Sequence, residues 1–313
     1  MASILVVGSI ALDSVKTPKG SSQEALGGSA VYFSLSAGFF AGVSVVGVIG
    51  EDFPQTHRKF LESRQIDLTG LEVVRGGKTF RWVGEFGKDL NQAHTLETHL
   101  NVIEHFQPKL QPHHKETKVL FLANIDPDLQ WEVLSQMSGP EIVACDTMNF
   151  WIHSKPAALK ELLAHVHLFF VNEEEARLLT KEENIFKAGR VLSEWGPEVV
   201  VIKKGEHGAL LLAEGRYYAF PAFPVENVVD PTGAGDTFAG GFLGYLASDG
   251  NFKDAQSWKR AAVHGSVMAS FTVEDFSTRR LEKLSSSLIE NRYQKFLELL
   301  RVEDPAQILQ ITV

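Results

Sequence analysis

The 313-residue chain has one cysteine, Cys145, so no intrachain disulfide framework can form and a small stapled secreted scaffold is excluded. Long apolar runs are missing as well. The longest, Ala37–Gly50, is interrupted by Gly38, Gly42 and Gly47 and reaches only about two-thirds of a membrane span. Positive charge is scarce: 30 Lys and Arg against 39 Asp and Glu leave a net charge of −9. That argues against a nucleic-acid partner, which needs a basic face. No basic segment opens the chain at Met1-Ala2-Ser3, and Ile4–Leu12 is broken by Gly8, so no secretory signal is read and a cytoplasmic, non-membrane protein is expected. There is no Gly-x-Ser-x-Gly elbow, which disfavours an acyl hydrolase, and no internal repeat or low-complexity linker. What remains is ordinary: 44% apolar and 22% charged residues, enough to bury a core within one domain spanning 1–313.

Short apolar runs rich in β-branched residues occur at Ile4–Ser9, Val43–Val48, Lys118–Leu122, Glu141–Cys145, Leu168–Val171 and Val199–Lys203. Such runs predict strands buried on both faces. Helical patterns lie between several of them, at Asp126–Met137, at Pro156–Ala164 behind a well-placed proline, and at Glu173–Thr180 behind the N-cap Asn172. Alternating strands and helices predict an α/β fold with a mostly parallel central sheet and helices on both faces, three layers in all. Leu210–Ala213 and Tyr217–Phe220 read as a hairpin, and helices are expected at 234–248, about 253–273 and about 281–300. Asp13–Ser21, Leu71–Val74 and Thr79–Glu85 break the alternation. Segments of about 13–21 and 71–100 are expected to form a small β lid over the sheet's C-terminal edge, where ligands of open α/β sheets bind. An exposed lid edge is commonly covered by pairing across a twofold axis, which would give a homodimer.

The richest stretch is Asp230-Pro231-Thr232-Gly233-Ala234-Gly235-Asp236-Thr237-Phe238. A small-residue turn feeding an apolar helix leaves the amides of Gly233, Ala234 and Gly235 unpaired where positive partial charge gathers. An anion or developing oxyanion is favoured there. Asp236 puts a carboxylate in the same place. That pairing suits an acid that takes a proton from a hydroxyl as the hydroxyl attacks a phosphoryl group; a helix cap is the plainer alternative.

The same run resembles the C-terminal motif of the ribokinase (PfkB) family of sugar and nucleoside kinases, whose core is Gly-Ala-Gly-Asp, and the resemblance extends over nearly the whole chain. It implies ATP as phosphoryl donor, Mg2+, Asp236 as general base and Gly233, Ala234 and Gly235 as the anion hole. Gly27-Gly28 resembles the family's acceptor-binding glycine pair, with Gly50-Glu51-Asp52 as the continuation. Asp13 resembles the acid that chelates acceptor hydroxyls, although a turn former is the plainer role. Asn172-Glu173-Glu174-Glu175 resembles Asn-x-x-Glu, which assigns Asn172 and Glu175 to magnesium; acids opening a helix are otherwise simply favourable to its dipole. Lys203 and Gly205 resemble the loop along the nucleotide, and Val228 and His264 are candidate walls of an adenine pocket. Asp146-Thr147-Met148-Asn149 resembles Asp-x-Asn-x-Arg, with Asn149 as an acceptor contact and no arginine; Arg81 or Lys155 would have to substitute for it.

Tyr32 stands where the family often has an acceptor-reading asparagine. With Phe33, Phe80, Trp82, Phe150 and Trp151 it makes the expected acceptor region aromatic, and aromatic faces suit a nucleobase. A nucleoside acceptor is therefore favoured over a simple sugar, with a sugar kinase and a non-catalytic sugar or nucleotide sensor as alternatives. Gly76-Gly77-Lys78-Thr79 mimics the end of a P-loop but has Glu72 where that motif needs glycine. His113-His114 and His165-x-His167 lack zinc-type spacing and read as surface residues.

Overall fold

Ile4, Leu5, Val6 and Val7 are all fully buried, and they alternate: Ile4 and Val6 join one apolar layer, Leu5 and Val7 the other. Phe170 with Phe169 and Val201 with Val200 repeat the pattern. A strand covered on both faces has no polar side, which is why these runs read as continuously apolar.

The computed structural model describes residues 3–301; the remaining residues of the expected domain, 1–2 and 302–313, lie outside it. The first half contains β1 (Ser3–Val7), β2 (Ala11–Thr17), β3 (Gly20–Gly27), α1 (Ser29–Ala37), β4 (Gly42–Gly50), α2 (Gln55–Ser63), β5 (Asp67–Val74), β6 (Phe80–Phe86) and β7 (Ala93–His99). Then come α3 (Pro112–Lys115), β8 (Val119–Leu122), α4 (Pro127–Ser135), β9 (Ile142–Cys145), α5 (Asn149–Ser154), α6 (Pro156–Leu163), β10 (Leu168–Asn172) and α7 (Glu173–Thr180). The last part holds α8 (Ile185–Glu194), β11 (Val199–Lys203), β12 (Ala209–Ala213), β13 (Arg216–Phe220), α9 (Ala234–Asp249), α10 (Ala255–Thr272), α11 (Arg279–Glu282) and α12 (Ser286–Leu300).

The central sheet runs β13-β12-β11-β10-β9-β8-β1-β4-β5. From β11 to β5 every pairing is parallel, and β12 and β13 add an antiparallel hairpin. One face carries α1, α2, α9, α10 and α12, the other α4, α6, α7 and α8. No helix among the described residues is long and apolar enough to cross a membrane.

The second sheet, β3-β2-β6-β7, is the lid. Its β2–β6 pairing is parallel and the other two are antiparallel. Two expectations change here. Leu71–Val74 is not a lid strand; it pairs with Gly47–Gly50 at the edge of the central sheet. An edge strand is only half covered (Val73 is 44% exposed), so it lacks the unbroken apolar run that marks its neighbours. The lid instead gains β3, which ends at Gly27. The Gly50 position explains how the chain leaves the sheet: a Cβ there would meet the backbone of Lys78 and Thr79 at 2.5 and 2.6 Å. Asp52 accepts hydrogen bonds from the Thr79 amide at 2.7 Å and the Thr79 hydroxyl at 2.8 Å, so Gly76–Thr79 is the tether of the lid and not a phosphate loop. The long helix expected at 281–300 is broken at Lys283–Ser285 into α11 and α12, with Ser285 as N-cap of the second.

Candidate active site

The parallel strands all end on one rim, and the predicted site residues collect along it in two groups. The first surrounds the start of α9. Gly233 is its N-cap, with φ at 74°, a conformation that favours glycine. The amides of Gly233 and Gly235 have no acceptor among the described residues, whereas that of Ala234 donates to the Pro231 carbonyl at 3.1 Å. The anion hole is thus narrower than the sequence implied, because the turn itself uses one donor. Lys203, last residue of β11, brings its Nζ to 3.0 Å from where a Gly235 side chain would begin and pairs with Asp146 at 2.6 Å. Burial alone would lower the Lys203 pKa, but Asp146, Glu175 and Asp236 outweigh it and hold the ammonium charged.

Asp236 lies in the first turn of α9 and is half-buried. Burial, reinforced by the Asp146 charge and opposed by Lys203, lifts its pKa from 3.8 to about 7. A carboxyl poised there can exchange a proton near neutral pH. Asn172 and Glu175 form a reciprocal capping box: the Glu175 amide donates to Asn172 Oδ1 and the Asn172 amide to Glu175 Oε2, both at 2.8 Å. The structural role is therefore real, and it uses one Glu175 oxygen. Burial and then Asp146 push the Glu175 pKa up to about 8, against the opposing charge of Lys203. A hard divalent cation fits such a donor set. Among the described residues the acids here do not form a trio with ligand atoms within 4.8 Å of one another; the remaining ligands would be water and phosphate oxygens, as is usual for Mg2+.

The second group lies beneath the lid. Asp13 on β2 is 5% exposed, and a Cβ at Gly27 would run into its carboxylate. Gly28, with φ at 96°, lets the chain pass the Ser9 carbonyl where any side chain would collide. Burial raises the Asp13 pKa to about 7, the Gly28 amide opposes this, and the charges of Asp230 and Asp236 reinforce it. The two groups therefore share one electrostatic field. They also share a wall: a side chain at Gly233 would strike the ring of Tyr32 on α1, and Ser36 on the same helix donates to the Thr237 carbonyl at 2.8 Å.

Several expected contributors stand apart. Arg81 is bound by Asp52 and Glu24, each at 2.8 Å, so its charge is spent within the lid. Lys155 is held by Asp126 at 2.7 Å and by Asp128. His264 is stacked between Tyr245 and Tyr293, with centroids at 4.5 and 4.3 Å. Tyr245 is nine residues beyond Asp236 on α9, about 14 Å along the axis, so His264 sits in a helix interface and not beside the anion hole. Val228 adjoins a cleft of about 610 Å³ lined by residues 223–227, Phe271, Glu274 and α12. That cleft fits the expected region but carries Arg280, Arg292 and Lys295, so it is less apolar than expected. Gly205, with φ at 55°, lies against the Asn91 side chain at the tip of the lid hairpin. Asn149 opens α5, and its Oδ1 is buried without a partner.

That last property marks the rim. Among the described residues, six buried side-chain atoms have no hydrogen-bond partner: those of Tyr32, Asn124, Thr147, Asn149 and Thr232 lie on it, and that of His264 does not. Sequence reasoning did not single out Asp230. Asp230 is 1% exposed and accepts from the amides of Thr232 and Ser277 at 3.0 and 3.1 Å. Its place at the head of the glycine-rich motif was the available signal. Nor are His113 and His114 both surface residues: His114 is fully buried, and both face Asp67.

Comparisons with known proteins identify the family and the fold. Residues 1–284 match the family described as pfkB family carbohydrate kinase. Over 249 residues the chain is 32% identical to a cytidine kinase of Thermococcus kodakarensis, covering 78% of this chain and 88% of that one. It is similar in fold to a Burkholderia thailandensis nucleoside kinase in complex with inosine: TM-score 0.77, 20% identity, 93% of this chain and 97% of that one. A Vibrio cholerae fructokinase in its fructose, ADP and calcium-ion bound form gives TM-score 0.76 at 16% identity, covering 94% and 99%. At such identities these two structures speak for the fold alone.

Proposed function

The chain belongs to the pfkB family of carbohydrate kinases and is a phosphotransferase; on that premise we propose that it moves the γ-phosphoryl of ATP to the CH2OH hydroxyl of a nucleoside. Asp236 takes the proton of that hydroxyl while its oxygen bonds to phosphorus and the bond to the ADP oxygen breaks. The Gly233 and Gly235 amides and the Lys203 ammonium counter the charge on the transferring group. Asn172 and Glu175 are the residues assigned to Mg2+, which when bound would offset charge on the donor phosphates. Asp13 and the Gly27-Gly28 backbone hold the acceptor.

The observation that carries this reading is one carboxyl, Asp236, with its pKa lifted to about 7, in the first turn of a helix whose Gly235 lies against Lys203. The likeness to a cytidine kinase supports a nucleoside over a simple sugar. The lid edge β7 is exposed along its length, and a homodimer through that edge is part of the proposal. ADP release measured over a panel of nucleosides and sugars tests it. Turnover with a nucleoside is the expected result; turnover with sugars alone removes the nucleoside, and binding by thermal shift without turnover would make the protein a sensor.

A further inference from the structure

The lid reaches beyond the acceptor. Its strands β2 and β6 set Asp13 opposite Trp82, and β6 continues with β7 as a hairpin paired as far as Phe86 and Ala93. Trp82 stiffens that hairpin. Its Nε1 donates to the Thr95 hydroxyl at 3.1 Å, and its ring lies where a side chain at Gly84 would go. From Trp82 to Phe86 the strand advances about 13 Å, and the turn at 87–92 then brings Asn91 onto the 204–208 loop. Asn91 Oδ1 accepts from the Glu206 amide and Asn91 Nδ2 donates to Glu206 Oε1, each at 3.4 Å. The packing is tighter than those bonds, because a Cβ at Gly205 would overlap Asn91 Oδ1. Asp89 holds Asn91 from within the turn, accepting from its backbone amide at 2.9 Å and from its Nδ2 at 3.2 Å.

The loop on the other side has little slack. It leaves β11 directly after Lys203 and closes on itself: the Lys204 amide donates to the Gly208 carbonyl at 2.7 Å and the Gly208 amide to the Gly205 carbonyl at 3.1 Å. Gly208, with φ at 86°, is pressed against the Phe220 carbonyl, where any side chain would collide. A displacement at Gly205 therefore moves the loop as a unit and is felt at Lys203. We propose that Asn91 is a positioning residue for this loop, through which an acceptor held on Asp13 tightens the binding of ATP. The stiff lid sheet is the connection, with Asp13 at one end and Asn91 at the other. The assignment rests on the reading of the protein as a kinase with its acceptor on Asp13 and its nucleotide beside Gly205. Such coupling is reciprocal, so ATP tightens the acceptor by the same factor.

Calorimetric titration with a non-hydrolysable ATP analogue, alone and with the best acceptor from the panel at saturation, measures that factor. In wild type the acceptor should tighten the analogue at least about fivefold. Asn91→Ala should bring the factor to within about twofold of one, with each ligand's separate affinity also changed by less than about twofold. Because Asn91 is exposed, the ligand-free variant should melt with wild type, which a structural role would not allow. Gly205→Ala tests the same contact by space. Alone it should abolish the coupling by displacing Asn91, and added to Asn91→Ala it should change the coupling no further; the strain of an alanine at φ 55° is common to both backgrounds and cancels. An absence of coupling in wild type overturns the proposal. So does a factor that Asn91→Ala leaves intact, which would place the coupling in direct contact between the two ligands. If only a sugar is turned over, or a ligand raises the melting temperature without ADP release, the nucleoside-kinase reading fails while the same titrations with that ligand still decide the role of Asn91.

Discussion

Two groups of titratable side chains lie at opposite ends of the parallel strands, and they are treated in opposite ways. Asp67 begins β5. Its carboxylate accepts from the Thr69 amide at 2.9 Å, the Ser44 hydroxyl at 3.0 Å and His113 at 3.1 Å. Burial alone would raise its pKa, but these bonds win and hold it well below the usual range. His114 Nδ1 accepts the Gln111 amide at 3.2 Å, which leaves the neutral ring's proton on the Nε2 that faces Asp67. The trio has the proximity of a metal site but not the free lone pair one needs. At the other end, Asp13, Glu175 and Asp236 are lifted by burial and by the charges of neighbouring acids. A satisfied cluster fixes the fold, and an unsatisfied one is waiting for something that is not protein.

The sharpest way to break this contrast is at Asp236. Asp236→Asn keeps the shape and removes the base, so turnover should fall by at least about 10² with little change in ATP affinity, measured by steady-state ADP release. A variant with most of its activity would leave the carboxyl without a catalytic role. Gly233→Ala should come next. Its φ of 74° strains any side chain, and the Tyr32 ring occupies the space, so a stability loss of about 1–3 kcal/mol and at least a tenfold loss of turnover are expected. Unfolding midpoints and kcat measured together would separate the two. Unchanged values for both would mean that the contact between the helices is dispensable.

The placement of Gly233 and Asp236 at the start of α9 was available in the sequence because a glycine-rich turn before an apolar helix has few conformations open to it. The same holds for the buried strands and for α7, whose cap and acids predict its boundaries at Glu173–Thr180. Other features were not legible, for physical reasons. Arg81 and Lys155 are plausible phosphate ligands by residue type, and the structure pairs their charges with acids 27 or more residues away in sequence. Leu71–Val74 reads as a strand but is assigned to the lid instead of the central sheet, because an edge strand carries half the apolar signal. The stacking of His264 between Tyr245 and Tyr293 comes from helix packing, which motif spacing does not reveal.

The contrast also has a pH dependence. Asp236 must be ionised to accept a proton, so with its pKa lifted to about 7 the acceptor kcat/KM of the free enzyme should climb as pH rises from about 6 to about 8. For stability the sign is reversed. Carboxyls raised in the folded state bind protons that the unfolded chain has released, so they stabilise at low pH and that contribution is lost as pH rises through their folded values. The ligand-free protein should therefore lose melting temperature between about pH 5 and about pH 8. Glu175→Gln should flatten that slope, and a slope identical in wild type and variant would place Glu175 in an ordinary, solvated environment.

The smallest effect on activity belongs to the satisfied cluster. Asp67→Ala removes the acceptor of three hydrogen bonds and should cost about 1–3 kcal/mol of stability at neutral pH, read from chemical denaturation, with turnover within about twofold of wild type. A carboxylate held low stabilises above its ordinary pKa of 3.8 and loses that contribution as pH falls toward its folded value. The gap between wild type and Asp67→Ala should therefore be widest near neutrality and close in strong acid. Divalent zinc added to wild type should leave the melting temperature where it was, because His114 Nε2 carries a proton and not a lone pair. A zinc-dependent rise that disappears in Asp67→Ala would make this trio a binding site after all and erase the distinction between the two ends of the sheet.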